Sequence, residues 1–289
     1  MNLRQSSQSN SKLHLIPQVS QLMKIPAIDS ARMQDEILWL DTDVQWTQTY
    51  SEYQSGGWKT LSLYNNSGRP EDANIADGRA IETSLLKKLP NTRKYIESLN
   101  LDLMWVRLAK LEANSFLWEH RDYAELNHVE RLRLHIPLIT NTEATLVIGG
   151  CRVHLANGYV WKLNPTHYHA ASNLGRHSRI HILIDTYSNE ALTRLIQNER
   201  LDLRFVQKLK SPTTEEIENV HRRSIALSSL GYVSSAEKML LKMYHSYHLA
   251  DGQSYDLVSE MYRMMGNQSI SHKWQGLKHK YLGIEGSLQ

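Results

Sequence analysis

The chain has 289 residues, 41% of them apolar, which is enough for one or two domains with a sizeable core. Its 33 Lys and Arg nearly balance 30 Asp and Glu, for a net charge of +3, so nothing pulls it toward nucleic acid or anionic membranes. A single cysteine, Cys151, excludes an internal disulfide and a Cys-based zinc site, and no run approaches the ~18 apolar residues of a membrane span.

Residues 1–20 read as a disordered tail, dominated by Ser, Gln and Asn through residue 12 and without the apolar core of a signal peptide. A cytoplasmic protein is the expectation. Residues 28–50 predict a helix, opened by Ser30 ahead of Asp35 and Glu36 and continued by Ile37, Leu38 and Leu40. YQSGGWKTLSLYNNSGR (53–69) reads as a turn, a short strand and a second turn. Residues 78–99 predict two helical pieces broken at Pro90. Strands then follow at short spacing: 101–113, 131–140, 144–150, 151–163, 167–173 and 179–187, separated by Gly-, Asn- and Pro-containing turns. This is the signature of an antiparallel sandwich or barrel. After about 187 the period returns to that of helices, over 190–209, 214–248 and 255–267. The segment SIALSSLGYVSSAEKMLLKM is similar to a helical-repeat hairpin, but one copy makes no repeat. The predicted class is α+β, with N-terminal helices, a β core and a helical C-terminal region over 188–289.

Eight of 14 histidines (His120, His128, His135, His154, His167, His169, His177 and His181) fall between positions 120 and 181. WEHRDYAEL (118–126) contains His-Arg-Asp, which occurs in kinase catalytic loops and, as His-x-Asp, in non-haem iron sites. No Gly-rich phosphate loop precedes it, no DFG follows and the next segment is β-rich, so the kinase reading fails. His120 and Asp122 share one face of an extended segment. A 2-His-1-carboxylate site needs a second His from elsewhere, and His154, His167, His169, His177 and His181 are the candidates. In RIHILID, Arg179, His181, Leu183 and Asp185 oppose Ile180, Ile182 and Ile184; in RLRLHIPL, Arg131, Arg133, His135 and Pro137 oppose Leu132, Leu134, Ile136 and Leu138. Two explanations stand: a half-exposed sheet with a solvated outer face, or the mouth of a barrel whose arginines bind a dicarboxylate.

The ordered set His120-Arg-Asp122, RLRLHIPL, His169-x-x-x-Asn173 and Arg179 with IHILID, preceded by GGWKTLSLYN, resembles the aspartyl/asparaginyl β-hydroxylase-like group of Fe(II)/2-oxoglutarate dioxygenases, which includes bacterial proline cis-4-hydroxylases. The likeness is clearest over roughly 100–187, with Arg179 ten residues after His169. It implies a double-stranded β-helix (jelly-roll, cupin-like) core within a dioxygenase domain over 21–187. It further implies iron ligands His120, Asp122 and His169, with Arg179 on the distal carboxylate of 2-oxoglutarate and Arg133 and His135 lining the same pocket. His167, on the face of His169, is the competing ligand, and the spacing to Asn173 and Arg179 favours His169. Asp122 places the chain nearer the bacterial small-molecule branch, since the animal peptide hydroxylases lack that carboxylate. Fe(II), 2-oxoglutarate and O2 would together hydroxylate an unactivated C–H bond. Trp118, Arg121, Tyr123 and Trp58 are candidates to face the substrate; each could equally be core or surface. Cys151 reads as a packing residue.

Three functions are open: hydroxylation of a free amino acid or related small metabolite, hydroxylation of a residue in a peptide or carrier-bound chain, and non-catalytic binding by a jelly roll. The intact ligand set argues against the third. Neither nucleic acid nor membrane is an expected partner. The C-terminal helices could cover the site's mouth, pair two chains as a homodimer or dock a carrier, although their Met- and Tyr-rich stretch reads as core.

Overall fold

The computed structural model describes residues 14–122, 126 and 128–284. The chain opens with β1 (Val19–Lys24), α1 (Ala27–Asp41), β2 (Thr47–Gln48), β3 (Trp58–Asn65), β4 (Ile81–Glu82) and α2 (Pro90–Ser98). The β core continues through β5 (Asp102–Leu111), β6 (Ser115–Phe116), β7 (Arg131–Ile139), β8 (Ala144–Ile148), β9 (Cys151–Val153), β10 (Tyr159–Leu163), β11 (His169–Asn173) and β12 (Arg179–Tyr187). After α3 (Glu190–Ile196) and β13 (Val206–Lys208) come α4 (Thr214–Ser229), α5 (Val233–Leu241), α6 (Gln253–Met264) and α7 (Gln268–Leu282).

Two antiparallel sheets form a double-stranded β-helix. The larger runs β1-β10-β7-β12-β5-β3-β2, with β4 beside β3, and the smaller runs β13-β9-β8-β11-β6. Alternation along the strands decides the layers. Ile180, Ile182, Ile184, Leu134 and Ile136 point outward from the large sheet and bury against Met33, Ile37 and Leu40 of α1 and Ile96 of α2. The opposite face of the same strands looks onto the small sheet. There Trp58, Ala109 and Leu183 meet Leu117 and Ala171. The outer face of the small sheet, with Phe116, Val147 and Ala170, is covered by the C-terminal helices through Leu240, Tyr255, Met261 and Trp274. The molecule is therefore four layers deep: helices, large sheet, small sheet, helices. Among the described residues, no helix is long and apolar enough to cross a membrane.

The solvated-face explanation fails on this layering. Arg131, Arg133, His135, Arg179, His181 and Asp185 are all under 9% exposed, because both sides of the large sheet are covered. Other boundaries differ as well. Residues 14–20, placed in the disordered tail, are packed: Leu15 and Val19 are buried, and β1 pairs with β10. The helix predicted to reach residue 50 stops at Asp41, and residues 47–48 pair with β3 instead. Ser30 is not its cap. It lies inside the first turn, its N–H donating to Pro26 O at 3.0 Å. Pro90 opens α2 as its first residue rather than kinking a helix. Residues 206–208 leave the predicted helix to extend the small sheet as β13, pairing with β9. Helix α7 was not foreseen as an element, and a left-handed Gly231 (φ +90°) separates α4 from α5.

Candidate metal centre

The site lies between the two sheets. Residues 117–122 continue β6 alongside β11, and reciprocal backbone bonds join His120 and His169: His120 N–H to His169 O at 2.9 Å and His169 N–H to His120 O at 3.0 Å. This bridge sets the two rings 4.5 Å apart between centroids. Each ring is then turned by its own backbone. His120 Nδ1–H donates to Trp118 O at 2.7 Å, and His169 Nδ1–H donates to His167 O at 2.8 Å. Both Nε2 atoms are thereby left as electron-pair donors, the arrangement of a metal-binding histidine anchored through its other nitrogen. They converge on Asp122, with His120 Nε2 3.6 Å from Oδ1 and His169 Nε2 3.5 Å from Oδ2. One donor atom from each of the three residues lies within 4.8 Å of the others. Two imidazoles and a carboxylate, all buried, fit a divalent cation of the 2-His-1-carboxylate type.

The electrostatics agree with that donor set. Burial first, and then the neighbouring His169, depress His120 to about 4, so its ring is neutral. Burial alone would raise the Asp122 carboxyl, but Arg133, with His169 and His120, holds it well below the ordinary carboxylate range. Arg133 donates from Nη1 to Asp122 and reaches back to Asp185 by a fork, Nε to Oδ1 at 2.9 Å and Nη2 to Oδ2 at 3.0 Å. Asp185 also lies 3.4 Å from Arg107 Nη1 and 3.7 Å from Arg131 Nη1. The sheet register produces this cluster, since β12 runs between β5 and β7 with Asp185 directly opposite Arg133.

Arg179, Arg133 and His135 line the same cavity as the three ligand candidates, together with Trp58, Tyr50 and Tyr53. Arg179 is buried, its Nη1 has no partner, and its guanidinium carbon sits 5.7 Å from the Trp58 ring centroid. Burial lowers its guanidinium to about 10. Both ring nitrogens of His135 also lack partners, and burial, then Arg179 and Arg133, keep that ring neutral. Unsatisfied buried donors beside the metal candidates fit a carboxylate ligand.

The other candidates separate. Trp58 is in the cavity. Trp118 turns to the C-terminal helices, its ring centroid 5.2 Å from that of Trp274 and 6.5 Å from that of Tyr255, and is not among the residues lining the cavity. Arg121 likewise lies outside the cavity, over the Tyr168 ring and against Gly283. Tyr123 falls outside the described residues. His167 contributes its carbonyl, not its ring. His181 stands behind His135, the rings 5.8 Å apart, and His154 bonds Ala144 O. Asn173 ties the end of β11 to Leu111 O and His177 O, a structural tie that sets the strand from which His169 projects. Asp185 and Arg107 went unassigned in the sequence, although the alternation of RIHILID already put Asp185 on the polar face. Tyr50 and Tyr53 carried no signal of their own; Tyr53 stacks on His120 at 5.0 Å.

A model of the aspartyl/asparaginyl β-hydroxylase family matches residues 7–189. L-proline cis-3-hydroxylase 2 of a Streptomyces species is 24% identical over 273 residues, covering 87% of this chain and 90% of that protein. L-proline cis-3-hydroxylase 1, also of a Streptomyces species, is 22% identical over 269 residues, covering 89% and 92%. Among solved structures, a prolyl-4-hydroxylase from Pseudomonas putida aligns with a TM-score of 0.39 and 12% identity over 59% of this chain and 92% of that one.

Proposed function

Because the chain belongs to the aspartyl/asparaginyl β-hydroxylase family, we propose that it is an Fe(II)- and 2-oxoglutarate-dependent dioxygenase that hydroxylates an unactivated C–H bond of a free, proline-like amino acid. The observation that carries this reading is the buried convergence of His120, Asp122 and His169 beside Arg179, whose buried Nη1 has no hydrogen-bond partner. His120 Nε2, His169 Nε2 and Asp122 would hold the iron. The bound iron and 2-oxoglutarate supply oxidising power, as decarboxylation of the keto acid is coupled to insertion of oxygen from O2 into the C–H bond.

The chain's own residues do the rest. The carbonyls of Trp118 and His167 fix both imidazoles in the tautomer that leaves Nε2 available. Arg133, itself held by Asp185, keeps Asp122 anionic. Arg179 offers a bidentate seat to a distal carboxylate, with His135 beside it. Trp58, Tyr50, Tyr53 and Leu183 wall the cavity with apolar surface and exclude water around the target carbon.

The two Streptomyces hydroxylases are named for L-proline, which favours a free amino acid over a peptide- or carrier-bound substrate. We place the enzyme in the cytoplasm, where a free amino acid would be available to it. Exposed Leu230 and Tyr232 at the α4–α5 turn and Met264 at the end of α6 support homodimerisation through the C-terminal helices, to be read by sedimentation.

The test is anaerobic. Fe(II) and then 2-oxoglutarate are added to the apo-protein, and a visible metal-to-ligand charge-transfer band is expected, weakened in Arg179→Ala. Folded, metal-loaded protein without the band refutes the assignment.

A further inference from the structure

The C-terminal helices make contacts that core packing does not require. Four of them fall within the five residues 117–121, the segment that delivers the metal candidates. His245 Nε2–H donates to Leu117 O at 2.9 Å, and the Tyr255 hydroxyl donates to Glu119 O at 2.6 Å. Arg121 N–H donates to Tyr281 O at 3.0 Å. The Glu119 side chain is the fourth. It is completely buried, and Gly252 N–H, at the start of α6, lies 3.1 Å and 3.0 Å from its two carboxylate oxygens. Alternation explains the placement: with His120 and Asp122 turned to the site, Glu119 projects from the other side of the segment, into the helices. The opposite edge of the segment is held by the core, through Leu117 N–H to Ala171 O and the His120–His169 bridge.

A fully buried carboxyl side chain met by one backbone amide is a costly way to fill space. It makes sense as a registration peg. We propose that the C-terminal helices clamp the iron-binding segment from behind, and that Glu119 is the positioning residue of the clamp, fixing where His120 and Asp122 stand relative to His169. Gly252 takes a left-handed conformation (φ +77°), and a Cβ there would meet Lys278 Cε at 2.4 Å, so the amide that meets Glu119 is itself held by close packing. The inference rests on the iron reading above and adds to it a function for residues 245–282, which lie beyond the span of the family match.

The experiment uses Co(II) as a spectroscopic substitute in the full-length protein, with no turnover needed. Co(II) affinity and the visible d–d spectrum are measured for wild type, Glu119→Gln, Glu119→Ala and Tyr255→Phe, with thermal unfolding of each apo-protein alongside. Glu119→Ala and Tyr255→Phe are expected to bind Co(II) about 10-fold or more weakly with altered spectra, the usual cost of losing a group that orients a ligand. Glu119→Gln keeps an oxygen for the Gly252 amide and is expected to restore wild-type affinity and spectrum. Wild-type binding and spectra in folded Glu119→Ala overturn the clamp. If Glu119→Ala does not fold, wild-type affinity in Tyr255→Phe overturns it instead. Absence of Co(II) binding by wild type itself would sink the metal reading, and the clamp with it.

Discussion

Replacing Arg179 with Met should make the apo-protein more stable while nearly abolishing 2-oxoglutarate binding. Arg179 is 5% exposed, and burial alone lowers its guanidinium from its ordinary value to about 10. That difference corresponds to roughly 3 kcal/mol carried by the folded state while the group is charged. The folded value lies below the unfolded one, so the cost is fully present at pH 7 and is relieved only as the pH rises above about 10. Met fills much of the same volume but gives up the contact with the Trp58 ring, worth about 1–2 kcal/mol. The net gain is then about 1–2 kcal/mol, or roughly 2–8 °C in Tm for a chain of this size. The loss on the ligand side is larger. Two charge-assisted hydrogen bonds to a carboxylate contribute about 3–5 kcal/mol, so 2-oxoglutarate should bind roughly 100- to 3,000-fold more weakly. The assay is calorimetric unfolding of Ni(II)-loaded protein with and without 2-oxoglutarate. At about 100 times Kd the ligand should stabilise wild type by about 2.7 kcal/mol and leave the variant unmoved. A variant less stable than wild type without ligand, yet still stabilised by it, would refute the assignment of Arg179.

Three further outcomes follow from the same geometry. His120→Ala and Asp122→Ala should each abolish iron-dependent 2-oxoglutarate turnover while circular dichroism shows the fold retained; wild-type rates in either would mean the metal site lies elsewhere. Asp185→Asn removes a carboxylate shared by Arg133, Arg107 and Arg131 and should cost about 3–5 kcal/mol in guanidinium denaturation at pH 7, whereas a loss under about 1 kcal/mol would show that this carboxylate is not needed. His245, buried and held neutral, is depressed from 6.5 to about 4, first by its burial. Its contribution should be complete above pH 6.5 and fall by up to about 3 kcal/mol as the pH drops to about 4, and His245→Gln should flatten that stretch of the stability–pH curve.

The order of elements and the chemistry were legible because both are written in short-range patterns. Period-two alternation in 131–140 and 179–187 marked strands with one apolar and one Arg/His face, and His120-x-Asp122 put two donors on one side of an extended segment. What alternation does not carry is the identity of the layer against each face. A polar face reads the same in sequence whether water or a second sheet lies over it, and only the packing of the small sheet showed that Arg133, Arg179 and Asp185 are interior. The same limit hid Trp118, which sits in the ligand motif yet packs on Trp274, 156 positions later in the chain. It hid β13 as well, since Val206–Lys208 is extended by its pairing with β9 and not by its own composition. The sequence by itself determined the candidate ligand residues and the strands that carry them. The tertiary structure decided which of them meet, because His120 with His169, Asp185 with Arg133 and Glu119 with Gly252 are joined by register and layer stacking between segments 49, 52 and 133 residues apart.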